Sequence, residues 1–375
     1  MAETNGKMIL TDGSRIIIES LVSSGAEAYV GYPITPANLL YAFASQRFPV
    51  FQAAPDEITA LQWVSGMAAA GKLAVTATSF AGFALMMETL NMAYMMELPL
   101  VIVLVQRLGP STGSATSGAQ GELLMLRSCI SGGYPVPVFC PSDYPDCWNL
   151  AHQSLSAAVK LRSPVILLTS KEMAMTSLSI DTSEFPPLPR VEKKYYDGES
   201  KYMPYLADDT FVPPFLSLAN NDHQVRINSS THNPEGFIQK ATPEALGNTM
   251  RLKEKTEKNI FSDYTFYSLD KEDDSDVLVL TYGITANAAR DAVNKMRAEG
   301  KKVSLLILKT LLPINPDIYD ILDQYSNLII AEENISGALN EILFGNCRKD
   351  NVRKVNKIGS MISPSEIIKE VELCK

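Results

Sequence analysis

Residues 73–105 read LAVTATSFAGFALMMETLNMAYMMELPLVIVLV, and this stretch decides the fold. Its two ends, residues 73–78 and 98–105, are largely apolar runs of the kind found in strands buried on both faces. Glu88, Glu97 and Pro99 interrupt the apolar sequence at helix-to-strand spacing, which argues against a transmembrane segment. The stretch therefore predicts a buried strand, a buried helix and a second buried strand.

Helical and short apolar segments alternate in the same way from residue 14 to residue 169. We predict helices at 14–24 and 37–46 and further strands at 28–31, 136–139 and 165–169. This alternation is typical of a parallel sheet covered by helices on both faces. The sequence thus predicts a doubly wound α/β domain over residues 1–185.

The composition changes between residues 186 and 274, where Pro, Asn, Asp, Tyr and Lys dominate and no apolar period persists. A structureless segment of this length is uncommon inside a compact domain. We therefore predict an irregular connection that follows the surface or contacts another subunit. Regular alternation resumes at residue 277, which predicts a second, smaller α/β domain over residues 275–375.

The composition also excludes several classes of protein. The 375-residue chain has a formal net charge of −9, which argues against nucleic-acid binding because neutralising phosphates requires clustered Lys and Arg. Its five cysteines form no Cys-x-x-Cys pair, so we expect no metal site, cluster or disulfide framework within this chain. The first residues lack the apolar segment of a signal peptide, so we expect a cytoplasmic protein without a membrane partner.

The segment GYPITP at residues 31–36 follows a predicted strand and precedes a predicted helix. It therefore lies at the carboxyl edge of the sheet, where α/β proteins bind ligands. Pro36 suits the first position of a helix, which would make Thr35 the N-cap. The Thr35 hydroxyl either caps a free backbone N–H or, together with the helix N-terminus, holds an anion.

Glu57 stands at the start of a helix whose apolar residues recur at helical spacing. A carboxylate in the first turn opposes the helix dipole, which is an ordinary structural role. The alternative is a buried carboxylate that serves acid–base chemistry, with a pKa raised by desolvation. The residues alone leave both interpretations open.

Arg107 follows the apolar strand and opens the loop LGPSTG at residues 108–113. A guanidinium fixed in a crevice suits a carboxylate, because its planar fork donates two hydrogen bonds. The alternative is a structural or surface ion pair. Residues 76–83, which include Ser79 and Phe83, leave another strand at the same edge and form a further wall of the crevice.

Several common motifs are missing from the sequence. The chain contains no Gly-x-Gly-x-x-Gly segment and no Walker loop, and its three histidines suggest no metal triad. Residues 109–113 read GPSTG, which has the spacing of Gly-x-Ser-x-Gly, but they lie in a loop after a predicted strand and not at the sharp strand-to-helix turn of a hydrolase elbow. The sequence motifs therefore do not support assignment of this chain to the hydrolases or to the common classes of nucleotide-binding protein.

Four segments taken together resemble the alpha subunit of 2-oxoacid:ferredoxin oxidoreductases. They are YPITP at 32–36, DEI at 56–58, TATS at 76–79 and QRLGPSTGSATSGAQGE at 106–122. The resemblance covers residues 13–171, and the C-terminal domain fits it through short segments such as SPSEI at 363–367.

This resemblance implies a thiamine-diphosphate enzyme in which the chain supplies the pyrimidine-binding domain, followed by a domain similar to the C-terminal domain of transketolase. Glu57 would be the catalytic carboxylate that hydrogen-bonds the aminopyrimidine ring. Thr35 and Arg107 would hold the carboxylate of the 2-oxoacid. The other cofactor-binding positions would be Pro33, Ser79 and Phe83.

The implied reaction is oxidative decarboxylation of a 2-oxoacid to an acyl-coenzyme A, with electrons leaving through iron–sulfur clusters to ferredoxin. The family's Gly-Asp-Gly motif for diphosphate and magnesium does not occur in this sequence, nor does a cluster-binding set of cysteines. A beta subunit, with or without further subunits, must then bring the diphosphate site, Mg²⁺ and at least one [4Fe-4S] cluster. The chain alone should be inactive.

Two departures from the family leave alternatives open. Where many relatives have Ser-Gly-Pro-Gly-Phe, residues 79–83 read SFAGF, which places a bulky Phe80 near the cofactor wall. Relatives acting on 2-oxoglutarate often carry a basic residue where residues 114–119 read SATSGA. We expect 2-oxoglutarate as substrate; the alternatives are a branched-chain or aromatic 2-oxoacid, a thiamine-dependent transferase or decarboxylase without clusters, or a non-catalytic scaffold subunit.

Overall fold

The structure is a computed structural model that describes residues 6–218, 220–345, 347 and 349–374. The strands are β1 (Met8–Asp12), β2 (Ala28–Gly31), β3 (Val50–Ala53), β4 (Ala74–Ser79), β5 (Leu100–Gln106), β6 (Val138–Phe139), β7 (Pro164–Ser170), β8 (Ser177–Asp181), β9 (Tyr267–Asp270), β10 (Val277–Tyr282), β11 (Ser304–Leu308), β12 (Thr310–Leu312), β13 (Asn327–Glu332) and β14 (Val352–Asn356). The helices are α1 (Gly13–Ser23), α2 (Asn38–Arg47), α3 (Glu57–Ala69), α4 (Phe80–Leu85), α5 (Met87–Met95), α6 (Leu123–Arg127), α7 (Tyr144–Leu161), α8 (Lys171–Met175), α9 (Pro243–Ile260), α10 (Thr285–Ala298), α11 (Asp317–Leu322), α12 (Ala338–Phe344) and α13 (Pro364–Glu372). A short 3₁₀ helix spans Thr182–Glu184, and β1 pairs with β8 in a separate two-stranded sheet.

The first sheet has seven strands in the order β12-β6-β7-β5-β4-β2-β3. Strands β2 to β7 run parallel to one another, and β12 pairs antiparallel with β6. The stretch that predicts two buried strands around a helix forms β4, α4, α5 and β5, so this prediction is confirmed. No helix in the described part of the chain is long and apolar enough to cross a membrane.

Both faces of this sheet are covered by helices, as predicted. All seven residues of β5 are buried. Residues 100, 102 and 104 pack with apolar side chains of α3 and α5, whereas residues 101, 103 and 105 pack with those of α1 and α7. Side chains of a strand alternate between its two faces, so an unbroken apolar run is what a doubly covered strand requires.

The second sheet has five strands in the order β14-β13-β10-β11-β9, and β9 is its only antiparallel member. Helices α10 and α13 pack against one face. Side chains from the other face join the core cluster that includes α3 and α5. The two sheets therefore share a continuous apolar core.

The boundary predicted at residue 275 is not a clean division in the structure. Strand β9 lies before that residue and belongs to the second sheet, whereas β12 lies after it and pairs with β6 of the first sheet. The sequence does not reveal this exchange, because a strand of three or four residues carries no information about its partner.

The connecting segment contains more regular structure than predicted. Residues 186–274 include the 18-residue helix α9 and the strand β9, so the expectation of an irregular segment is wrong there. The sequence of α9 shows no apolar period because the buried face of this helix is partly polar. Its buried residues include Asn248, Arg251, Lys255 and Thr256.

A buried carboxylate explains how these polar residues are accommodated. Glu97 is fully buried; Lys255 Nζ donates to its Oε2 at 2.8 Å and Arg251 Nη1 donates to the same atom at 3.1 Å. Burial alone would raise the pKa of the Glu97 carboxyl, but the ammonium and the guanidinium overcome that effect and hold the pKa at about 2. This ion cluster fastens α9 to the connection between α5 and β5.

We expect Glu97→Gln to lower the free energy of unfolding by about 3–5 kcal/mol, because it leaves two buried cations without a counter-charge. Since the folded pKa of Glu97 lies below its usual value of 4.5, its contribution is fully present above pH 4.5 and is lost as the pH falls towards 2. Urea unfolding at neutral and acid pH measures both effects. The control is Glu257→Gln in the exposed Lys253–Glu257 pair of the same helix, which should cost less than about 0.5 kcal/mol. Equal losses in the two variants would contradict the prediction.

Candidate functional site

Strands β2, β3, β4 and β5 are parallel neighbours, so their carboxyl ends lie at one edge of the first sheet. The chain leaves β2 towards β3 on one side and leaves β4 towards β5 on the other. A crevice forms at such a reversal of strand order and is the usual ligand site of open α/β sheets. Pro33, Glu57, Ser79 and Arg107 all follow or end these strands, so the topology brings the predicted residues to this edge.

Glu57 is the first residue of α3, and its side chain is buried, with 6% exposure. Capping of the helix is done by the preceding residue, since the Asp56 side chain accepts from Thr59 N at 2.7 Å. No hydrogen bond or ion pair reaches the Glu57 carboxylate from any residue that the structure describes. The described residues therefore do not compensate for the burial of this carboxylate with a hydrogen bond.

Gly82 in α4 provides the space that Glu57 occupies. A Cβ atom at this position would lie 2.6 Å from Glu57 Cγ and 2.7 Å from its Oε1, and it would also collide with the Thr78 hydroxyl. Contacts this short do not occur with real side chains, so only glycine fits here. The α4 helix thereby packs directly over the carboxylate.

Ser79 and Phe83 lie on the neighbouring wall. Ser79 is the last residue of β4, and its buried Oγ has no hydrogen-bond partner among the described residues. Phe83 is fully buried within the apolar core. Pro33 is exposed at the end of β2 and Phe80 is half-buried at the start of α4. A buried hydroxyl without a partner is unfavourable, which makes Ser79 a candidate contact for a ligand at the end of β4.

Thr35 is not the N-cap of a helix, and that prediction is wrong. Helix α2 begins at Asn38, its N-cap is Ala37, and no side chain caps it. The reason is local, because residues 35–37 form a turn that delays the first helical residue. Thr35 instead offers its backbone carbonyl, which accepts a hydrogen bond from Arg107 Nη1 at 2.5 Å.

Arg107 directly follows β5, and only 4% of it is exposed. No carboxylate among the described residues pairs with its guanidinium, and its buried Nε has no hydrogen-bond partner. The alternative of a protein ion pair is therefore excluded within this part of the chain. A buried guanidinium without a counter-ion is costly, so the arrangement favours an anionic ligand at this position.

Sequence reasoning gave no role to the two residues that close the base of the neighbouring loop. Gln106 Nε2 donates to Glu122 Oε2 at 2.9 Å, and both side chains are buried. Burial raises the pKa of the Glu122 carboxyl to about 7. Gln106 is the only polar residue of strand β5 and stands at its end, and this position could have identified the Gln106–Glu122 pair from the sequence.

Residues 19–250 match the model of a family described as pyruvate flavodoxin/ferredoxin oxidoreductase, thiamine diphosphate-binding, and residues 275–367 match pyruvate:ferredoxin oxidoreductase core domain II. The first match alone spans more than half of the chain. The chain belongs to this family. The resemblance noted from the sequence is thereby confirmed, and Thr35, Glu57 and Arg107 all lie within the thiamine-diphosphate-binding match.

Curated relatives include members with different named substrates. The 2-oxoglutarate synthase subunit KorA of Methanothermobacter marburgensis is 27% identical over 96% of this chain and 97% of its own. The ketoisovalerate oxidoreductase subunit VorB of Methanothermobacter thermautotrophicus is 27% identical over 96% of each chain. The 2-oxoglutarate oxidoreductase subunit KorA of Mycobacterium tuberculosis is 30% identical over 87% of this chain, which spans 50% of that relative.

Solved structures show the same relationship. A 2-oxoglutarate:ferredoxin oxidoreductase from Magnetococcus marinus, with 2-oxoglutarate, coenzyme A and succinyl-CoA bound, has a TM-score of 0.89 and 27% identity. That match covers 97% of this chain, which spans 65% of the solved chain. A split-gene transketolase with 13% identity and a TM-score of 0.54, covering 96% of this chain and 95% of its own, shares the fold. The predicted class of α/β domains is therefore confirmed.

Proposed function

We propose that this chain is the alpha subunit of a thiamine-diphosphate-dependent 2-oxoacid:ferredoxin oxidoreductase. The proposed reaction is the oxidative decarboxylation of a 2-oxoacid to an acyl-coenzyme A, with the electrons passed to ferredoxin in the cytoplasm. The observation that carries the proposal is a pair of buried, oppositely charged side chains at one edge of the sheet. Glu57 and Arg107 flank the end of β4, and neither has a charged partner among the described residues.

The residues around Glu57 fit the aminopyrimidine of thiamine diphosphate. Among the described residues, neither the Glu57 carboxylate nor the Ser79 hydroxyl has a hydrogen-bond partner, and Gly82 lets α4 pack against the carboxylate. Pro33, which is exposed, would provide apolar contact with the ring. Phe83 is fully buried, so its part would be to support this wall from within the core. When bound, thiamine diphosphate supplies a nucleophilic carbanion centre for chemistry at the 2-oxo carbon. Glu57 would bind the aminopyrimidine and exchange a proton through its Oε atoms.

Arg107 and Thr35 would orient the carboxylate of the 2-oxoacid. The bond from Nη1 to the Thr35 carbonyl holds one end of the guanidinium, and the buried Nε is a donor without a partner among the described residues. A guanidinium held in this way can bind a carboxylate through charge-assisted hydrogen bonds. Since Arg107 is buried, that interaction is poorly screened by water.

The proposed active site requires a second chain. The sequence contains no Gly-Asp-Gly motif for diphosphate and magnesium. Large apolar side chains are exposed on the elements that form this edge, after β2, on α3 and at the end of α4: Tyr32 by 39%, Ile58 by 42%, Trp63 by 40% and Leu85 by 52%. A group of exposed apolar side chains is typical of a protein contact surface. We infer that a beta subunit covers this surface and supplies the diphosphate site, Mg²⁺ and a [4Fe-4S] cluster.

We prefer 2-oxoglutarate as the substrate, because several full-length relatives are named for it. One structural observation favours the alternative of a branched-chain or aromatic 2-oxoacid. The loop at residues 114–119 is uncharged, and the Glu172 carboxylate lies so close to Gly118 that any side chain there would collide with it. A carboxylate behind this loop would repel the second carboxylate of 2-oxoglutarate.

The proposal is tested by purifying the chain alone and together with its co-purifying partner. We expect no 2-oxoacid-dependent reduction of ferredoxin by the chain alone. The assembled enzyme should require thiamine diphosphate and coenzyme A and should turn over 2-oxoglutarate at least tenfold more efficiently, in kcat/KM, than 2-oxoisovalerate. Turnover by the chain alone would contradict the requirement for a beta subunit, whereas the reverse substrate preference would support the branched-chain alternative. Absence of turnover with any 2-oxoacid would leave a non-catalytic scaffold subunit as the explanation.

A further inference from the structure

The loop that follows Arg107 has few attachments of its own. Residues 109–114 are exposed. The hydrogen bonds of residues 109–119 that the structure describes remain inside the loop, as in Ser114 N to Leu108 O and Ser117 N to Ser114 O. A segment of this kind takes its position from the residues at its ends. At the beginning stand Gln106 and Arg107; at the other end stands Gln120.

Gln120 joins this loop to the C-terminal domain through its side chain. Only 1% of the residue is exposed. Its Nε2 donates to Tyr282 O at 3.0 Å, and its Oε1 accepts from Glu333 N at 2.7 Å and from Thr285 Oγ1 at 3.1 Å. These three partners come from the carboxyl ends of β10 and β13 and from the start of α10.

The backbone of Gln120 adds two further bonds to the same domain. Its N–H donates to Glu333 O at 2.7 Å, and its carbonyl accepts from Asn334 Nδ2 at 3.1 Å. Five hydrogen bonds thus converge on one residue in a buried site, where each is strengthened by the low local dielectric constant. Two residues later, the Glu122 side chain accepts a hydrogen bond from Gln106, at the other end of the loop.

We infer that Gln120 is a positioning residue for the 2-oxoacid, through which the C-terminal domain holds the loop of residues 108–119 beside Arg107. This inference rests on the proposed function, because it assumes that Arg107 binds the substrate carboxylate. Gln120 does not touch the reacting atoms. Its effect should therefore appear in KM for the 2-oxoacid and in the mobility of the loop, and much less in kcat.

The test compares Gln120→Ala with Gln153→Ala in the enzyme assembled with its partner. Gln153 is a suitable control because its side chain also makes two hydrogen bonds to a distant segment, at Thr265, and it lies on α7 away from the carboxyl edge. We expect Gln120→Ala to raise KM for the 2-oxoacid at least tenfold while kcat changes less than threefold. Hydrogen exchange of the peptide containing residues 108–119 should become at least tenfold faster. Gln153→Ala should alter neither quantity.

A folded Gln120→Ala enzyme with KM within threefold of the wild type and unchanged exchange would overturn the inference. If Gln120→Ala fails to assemble, Thr285→Val removes one of the bonds with little change of shape, and it should raise KM two- to threefold and speed the exchange of the loop. Unchanged values for Thr285→Val would then overturn the inference. A wild-type enzyme without 2-oxoacid turnover would contradict the proposed function instead, and the exchange measurement would still decide whether Gln120 holds the loop.

Discussion

Replacing Glu57 by Gln should lower kcat of the assembled enzyme by roughly 10³-fold, since general acid–base catalysis by a positioned side chain contributes about 10²–10⁴-fold. The amide has nearly the same shape as the carboxylate and fills the same space beside Gly82, so the fold should be retained. It cannot exchange a proton. The loss should therefore appear at saturating thiamine diphosphate and saturating 2-oxoacid, measured as ferredoxin reduction.

The adjacent carboxylate offers a matched control for this experiment. Asp56 caps α3 through its bond from Thr59 N, and Asn is as good an N-cap as Asp. Asp56→Asn should therefore leave kcat within about twofold of the wild type. Turnover of Glu57→Gln within tenfold of the wild type would show that Glu57 is not the catalytic carboxylate and would favour the scaffold alternative.

Removing the guanidinium of Arg107 should raise KM for the 2-oxoacid by about 100-fold or more. Truncating one partner of a buried charge pair costs about 2–5 kcal/mol, and each 1.4 kcal/mol corresponds to about a tenfold change in affinity. Arg107→Ala should show the full effect. Arg107→Lys should be intermediate, because Lys keeps the charge but lacks the planar fork.

Steady-state kinetics with varied 2-oxoacid and fixed coenzyme A measures this effect, and KM for coenzyme A serves as an internal reference. The control is Arg47→Ala, because Arg47 forms an exposed pair with Glu19 and its side chain is 47% exposed. That substitution should not change either KM. An increase of less than threefold for Arg107→Ala would contradict a role for this residue in binding the substrate carboxylate.

Much of the first domain could be predicted because its strands are buried on both faces. An unbroken apolar run such as that of β5 is strong information, and the strand forms within two residues of the expected limits. Helix α9 carries no such signal. Its Arg251 and Lys255 are stabilised by Glu97, more than 150 residues away in the chain, and a search along the sequence cannot find that contact.

The candidate site shows the same division between local and distant information. The identities of Glu57 and Arg107 follow from motifs, and the end of a parallel strand indicates where each residue lies. The sequence does not reveal that Arg107 is buried without a counter-ion, because this depends on which side chains the fold brings near it. The partners of Gln120 come from 162 to 214 residues further along the chain. The wrong assignment of Thr35 as an N-cap came from reading Pro36 as the first helical residue, whereas a turn precedes α2.

The strand exchange between the two sheets has a consequence for how this chain can be divided. Without residues beyond 275, β6 would lose its neighbour β12, and the first sheet would present an unpaired edge to solvent. The C-terminal half would in turn lack β9, the outermost strand alongside β11. Each half therefore contributes a strand to the sheet of the other half. A gene cut at the apparent domain boundary would yield two fragments, each with an open sheet edge that is prone to aggregation. A recombinant that replaces one half must keep the strand that this half contributes to the other sheet.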